Sequence, residues 1–209
     1  KEVFEKNDEY ASDAASILSM IFTNENRLPN YTSPNYENSL AQLVKYLKYA
    51  ADNGNFESLH ALSLILFMDW YHDYFIYFKE SQESKEFYIR KNEWERYNLK
   101  AAESGILDAA ILRTTLIQAK IIETNNYNNE VCRWAEIGSK RYTANDQVII
   151  IDSNYTSEIW SDLGIEGNYL FSLAVCILIE NEYAEGSFDD ALFYLQMAKK
   201  RKILILALS

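Results

Sequence analysis

Turn-forming residues are scarce in this sequence. Its 209 residues include only six glycines and two prolines, and both prolines, Pro29 and Pro34, fall in one short stretch. A β-protein of this length would need many more turn residues, because its strands are short and closely spaced. The scarcity therefore disfavours an all-β fold and favours a largely helical one, for which the 48% hydrophobic content supplies a core.

Basic residues are also under-represented. Twenty lysines and arginines stand against 31 acidic residues, which gives a formal net charge of −11. Such a field repels phosphate backbones and anionic lipid surfaces, so nucleic acid is not an expected partner and a basic protein is a better one. The alternative interpretation is that the acidic excess only keeps the protein soluble.

Long apolar runs and closely spaced cysteines are absent. The longest apolar run covers 170–179 and is broken by Ser172, whereas a membrane span needs roughly 18 to 20 residues. We therefore predict no membrane span. Cys132 and Cys176 lie in apolar helical contexts, without the close spacing of a metal site, and we expect buried free thiols.

An internal repeat is present. The stretch YLKYAADNG at 46–54 matches YNLKAAESG at 97–105 with an offset of 51 residues, so that Gly54 aligns with Gly105. Partial copies are FDDALFYLQMAKK at 188–200 and, more weakly, VCRWAEIG at 131–138, where Ala135 and Gly138 have the same spacing.

Each strong copy reads as the first helix of a helical hairpin. Adjacent alanines let a second helix approach closely, and the following glycine can adopt the left-handed conformation that ends a helix. A second amphipathic stretch follows each glycine, FESLHALSLILF after Gly54 and ILDAAILRTTLIQAKII after Gly105. A single hairpin cannot bury both of its faces, so several must stack.

These residues resemble the Sel-one-like repeat family, short relatives of tetratricopeptide repeats. The matching places are Tyr46, Leu47, Ala50, Ala51, Gly54, Ser58 and Leu62 in the first copy and Tyr97, Lys100, Ala101, Ala102, Gly105 and Ala109 in the second. The family period is about 36 residues, so the observed offset implies an insertion of about 15. The second leucine–glycine pair of the family pattern falls on Leu62 and Ser63 in the first copy and on Arg113 and Thr114 in the second, so the chain departs from the pattern there.

The resemblance implies an all-α fold, a right-handed α-solenoid of stacked helical hairpins that binds proteins without catalysis. Bacterial proteins of this kind include immunity proteins that neutralise a secreted antibacterial toxin, in the periplasm or the cytoplasm. We expect a single domain over 1–209 with an irregular insertion at 139–166. Its parts are an N-terminal helix at 5–24, a polar loop at 24–38, and repeats at about 39–80, 87–127, 128–139 with 167–184, and 188–206.

The aromatic stretch FMDWYHDYFIYFKE at 67–80 coincides with the extra length. One interpretation buries its rings between neighbouring hairpins, because large exposed apolar patches are rare. The other leaves a projecting helix at 67–78 partly uncovered, where aromatic rings and acids would bind a basic toxin or effector. The residues predicted to contact the partner are Asp69, Trp70, Tyr71, Asp73, Tyr74 and Tyr77.

Signatures of catalysis are absent. No nucleophile elbow, P-loop, HExxH or paired CxxC motif occurs. His72 beside Asp69 and Asp73 is expected only to be hydrogen-bonded, and His60 to be a core residue. We predict no catalytic, metal or cofactor-binding residues. The alternatives to an immunity protein are an adaptor in signalling or secretion, and an enzyme with a carboxylate site on a helical scaffold.

Overall fold

A computed structural model describes residues 36–73, 84–143 and 164–200 of the chain. These ranges contain seven helices and no strand, so the predicted all-α class is confirmed. The helices are α1 (Tyr36–Asp52), α2 (Phe56–Tyr71), α3 (Lys85–Glu103), α4 (Leu107–Gln118), α5 (Tyr127–Thr143), α6 (Ile165–Leu178) and α7 (Phe188–Lys200). The expected N-terminal helix at 5–24 lies outside the described residues.

Several predicted boundaries differ from the observed ones. Helix α1 begins at Tyr36, so the end of the expected polar loop is already helical. The predicted insertion at 139–166 is too long at both ends, because α5 continues to Thr143 and α6 begins at Ile165. Helix α6 ends at Leu178, not at 184 as predicted. Glu180, which has φ of +50°, lies just beyond this end, in a conformation that interrupts a helix.

The chain divides into two compact units, residues 1–101 and residues 102–209. The first holds α1, α2 and nearly all of α3, and the second holds α4 to α7. The single α-solenoid domain over 1–209 stays a prediction.

The turns at Gly54 and Gly105 have the same backbone geometry. Their φ angles are +89° and +84°, which confirms the left-handed conformation predicted for both. The next residues, Asn55 and Ile106, both have extended backbones, with φ of −76° and −74°. A Cβ atom added at either glycine would meet no atom within 4 Å, so only the backbone conformation selects glycine here.

In the first unit, contacts at successive positions give the directions of the helices. Glu93 of α3 forms an ion pair with Lys48 of α1, and Tyr97 donates a hydrogen bond of 3.4 Å to Asp52. Position numbers rise together along α1 and α3, so these two helices run parallel. Rings of α2 and α3 meet in the opposite order, because Phe67 contacts Trp94 and Trp70 contacts Phe87, and these two helices therefore run antiparallel.

In the second unit, α4, α5 and α6 converge at Gly138. A Cβ atom there would lie 2.8 Å from the Ile111 side chain and 3.0 Å from the Tyr169 ring. The Tyr169 hydroxyl donates a hydrogen bond of 2.8 Å to the Ala135 carbonyl, which joins α6 to α5. The weak repeat copy at 131–138 is therefore not a hairpin end. Gly138 lies within α5, where the missing side chain permits close helix packing.

We predict that Gly105→Val lowers the free energy of unfolding by about 1–2 kcal/mol, because a β-branched residue is strained at positive φ. Gly105→Asn is the matched control, since asparagine tolerates the left-handed conformation and should cost less. Urea unfolding followed by circular dichroism measures both values. Equal stability of Gly105→Val and the parent would contradict the prediction.

Candidate functional site

The aromatic residues of α2 form a buried cluster with α3. Trp70 is only 1% exposed, and its ring centroid lies 5.4 Å from that of Phe87 and 5.3 Å from that of Trp94. Phe67 also contacts Trp94, edge to face, at 5.2 Å. The expectation that Trp70 lacks intramolecular cover is therefore wrong. The interpretation that buries the aromatic stretch between neighbouring helices is the one that the structure supports for this ring.

Two predicted aspartates, Asp69 in α2 and Asp73 just beyond its end, share one cation. Arg90 of α3 donates one guanidinium hydrogen bond to Asp73 at 2.7 Å and another to Asp69. Asp73 is buried, and the Asp69 and Arg90 side chains are mostly covered. Both carboxylates thus have the same ion-pair partner within the first unit, and one positive charge offsets part of their combined negative charge. Sequence reasoning missed Arg90, although two acids four residues apart in an apolar helical stretch indicate that a cation lies nearby.

The remaining predicted site residues are only partly placed. Tyr71 is half-buried and stacks on Phe67 with ring centroids 5.8 Å apart, whereas Tyr74 and Tyr77 lie outside the described residues. Burial lowers the pKa of His72, and the nearby Asp73 carboxylate opposes this shift. The lowered pKa favours a neutral imidazole at pH 7. His60 is buried, as expected of a core residue.

No metal centre is apparent in the described ranges. Within 36–73, 84–143 and 164–200, no three His, Cys, Asp or Glu side chains are grouped so that they could hold a metal ion.

The two cysteines form a disulfide bond. Cys132 of α5 and Cys176 of α6 are joined with a Cα–Cα distance of 5.5 Å across 44 residues of sequence. The expectation of free thiols is therefore wrong. The disulfide can form because α5 packs against α6, which brings two positions that are distant in the sequence within bonding distance. Both cysteines are buried, as predicted.

The turn between α6 and α7 carries a mixed apolar and acidic surface, which we call the α6–α7 patch. Its exposed apolar side chains include Phe188, 69% exposed, Ile179, 53% exposed, and Tyr183. Exposed carboxylates lie among them in the sequence, at Glu180, Glu182 and Glu185. Sequence reasoning missed this patch because it assigned 167–184 to one continuous helix.

The stretch of sequence that contains the α6–α7 patch is one-sided in charge. Residues 142–198 include ten acidic residues and no lysine, arginine or histidine. Glu182 accepts a hydrogen bond of 3.2 Å from the Asn129 amide, but the three patch glutamates form no ion pair with another described residue. This contrasts with Asp69 and Asp73, which both form an ion pair with Arg90.

Comparisons with protein-family models, with curated proteins and with solved structures find no match for this chain. The Sel-one-like resemblance therefore rests on the sequence pattern alone. Separately, none of the seven described helices has both the length and the apolar character needed to cross a lipid bilayer.

We predict that Arg90→Met lowers the free energy of unfolding by about 2 kcal/mol, a value between those for exposed and for fully buried ion pairs. The loss arises because Asp69 and Asp73 remain partly buried without their counter-charge. Adding Asp69→Asn and Asp73→Asn to Arg90→Met should recover part of the stability, as measured by urea unfolding. A triple variant less stable than Arg90→Met would contradict this account.

For the disulfide, we predict that replacing Cys132 and Cys176 together by alanine lowers the free energy of unfolding by about 4 kcal/mol. This value is the chain-entropy estimate for a bridge across 44 residues. Reductant should destabilise the parent and leave the double variant unchanged. If denatured, unreduced parent protein contains two titratable thiols, the prediction is wrong.

Proposed function

We propose that this chain is a non-catalytic α-solenoid that binds another protein through the α6–α7 patch. The more specific role is that of a bacterial immunity protein, which would occlude a secreted antibacterial toxin. The observation that carries the proposal is the exposure of Ile179, Tyr183 and Phe188 among exposed carboxylates. Large apolar side chains grouped on a surface with polar neighbours are typical of protein-binding sites.

The packing within each unit supports the solenoid part of the proposal. In the first unit, α3 runs parallel to α1 and antiparallel to α2, which is the arrangement of a hairpin followed by the first helix of the next. In the second unit, α4 packs against both α5 and α6, and α6 packs against α7. Contact of a helix with its next neighbour and with the one after, as α4 makes with α5 and α6, is what stacked hairpins produce.

The charge of the patch defines the chemistry of the partner. Carboxylates at the edge of an apolar contact area raise the association rate of a basic partner, whereas burial of the apolar side chains slows its dissociation. A partner surface with lysines or arginines around an apolar centre would match this pattern. The predicted basic toxin or effector therefore stays the proposed partner, with the contact moved from 69–77 to the α6–α7 patch.

The disulfide supports one of the two proposed compartments. Disulfide bonds persist in oxidising environments such as the bacterial periplasm, and the cytoplasm keeps most thiols reduced. A Cys132–Cys176 bridge therefore fits an immunity protein that meets its toxin in the periplasm.

The test begins with secreted proteins encoded next to this gene. The cognate toxin should bind the purified, oxidised chain. Co-expression of the chain in the periplasm should restore the growth of cells that produce the toxin. Tyr183→Ala and Glu182→Lys with Glu185→Lys should each weaken binding about tenfold or more, with unchanged melting temperatures. The charge variant should act mainly on the association rate at low salt.

Glu103→Lys, which reverses an exposed charge outside the patch, is the matched control and should leave affinity unchanged. Tight binding that none of the patch variants weakens would place the contact elsewhere on the chain. Failure of every adjacent secreted protein to bind would contradict the immunity role.

A further inference from the structure

The outer face of α7 is apolar at its centre. Ala191 and Ala198 point into the second unit and are fully buried, whereas Phe193 is 55% exposed and Leu192 is 43% exposed. In a soluble helix these outward positions are usually polar, because the apolar stripe faces the core. Two large apolar residues on the outer face therefore need an explanation other than the packing of α7 itself.

Opposite charges stand at the two ends of the same face. Asp189, Phe193, Gln196 and Lys200 follow one another at spacings of four, three and four residues, so they form one stripe along the helix. All four are exposed. The stripe thus runs from an acid through apolar and amide groups to a base, and Lys199 adds a second exposed positive charge at the basic end.

We propose that two copies of the chain associate through this face, with their α7 helices antiparallel about a twofold axis. In that arrangement Asp189 of each copy lies near Lys200 of the other, and Phe193 lies at the centre. A parallel arrangement would instead place Asp189 against Asp189. A surface whose charges reverse from end to end is complementary to itself only in the antiparallel sense, as a twofold interface requires.

The size of the face defines the strength of the association. A helix of 13 residues is about 20 Å long. One helix face of this length buries far less than the roughly 800 Å² per partner of a standard stable interface. The dimer is therefore weak, forming at high protein concentration and dissociating on dilution.

The same charges also stabilise an isolated helix, because acids at the N-terminus and bases at the C-terminus oppose the helix dipole. The experiment must separate this effect from pairing. Asp190 is left unchanged, since it accepts hydrogen bonds of 2.8 Å and 2.6 Å from the backbone N–H and the hydroxyl of Ser187 at the start of the helix.

The test is sedimentation velocity of the oxidised full chain over a concentration series at low and high salt. The parent should dimerise reversibly, and less strongly at high salt. Asp189→Lys places a base, and Lys200→Glu an acid, at both terminal positions of the stripe, so each variant alone should dimerise at least about tenfold more weakly than the parent. An equimolar mixture of the two should recover the association of the parent, because each acidic end then meets a basic one.

Phe193→Glu should abolish association at every concentration. Glu123→Lys and Lys120→Glu reverse exposed charges outside α7 and should leave the dimer unchanged. A parent that stays monomeric throughout the series would overturn the proposal. So would a mixture of Asp189→Lys and Lys200→Glu no more associated than either variant alone, because the loss would then reflect the helix dipole.

Discussion

Each helix of this protein must bury an apolar surface that one neighbouring helix cannot fully cover, and the rest of the structure depends on this constraint. Helix α2 shows it clearly. It packs against α1, yet Phe67 and Trp70 are covered by Phe87 and Trp94 of α3. Cover for one helix pair is thus supplied by the helix that follows it. Where no described helix follows, after α7, apolar side chains such as Phe193 remain exposed. Core and candidate contact surfaces are therefore made of the same residue types and differ only in whether another helix covers them.

The structural features that could be predicted from the sequence are those that depend on local backbone conformation. The turns at Gly54 and Gly105 were predicted correctly because a positive φ after an alanine pair is a property of a few consecutive residues. The all-α class followed from the scarcity of turn residues in the same way. Gly138 has the same spacing from an alanine, but tertiary packing gives it a different role. Its neighbours Ile111 and Tyr169 come from two other helices, and no local pattern indicates that they converge there.

The candidate site was predicted less well, because exposure is a property of the whole fold. Trp70 and Asp73 are residue types that also occur at protein interfaces. Only the position of α3 shows that Trp70 belongs to the core and that Asp73 forms an ion pair. The disulfide was missed for the same reason, since 44 residues separate Cys132 from Cys176. The α6–α7 patch was missed because Glu180, in a left-handed conformation just beyond α6, lies where the periodicity suggested a continuing helix.

The carboxylates of the two units differ in burial and in ion pairing, and this difference bears on the proposed function more than the net charge of −11 does. In the first unit, Asp69 and Asp73 share Arg90 as an ion-pair partner, which weakens the field that they project into solvent. In the second unit, Glu180 and Glu185 are exposed in a segment without a single basic residue. Their field extends into solvent, where water weakens it and salt screens it over roughly 10 Å at 0.1 M ionic strength. Under the proposed function, long-range attraction of a basic partner would originate from these carboxylates. The exposed apolar side chains of the α6–α7 patch, such as Phe188, would then hold that partner after it arrives.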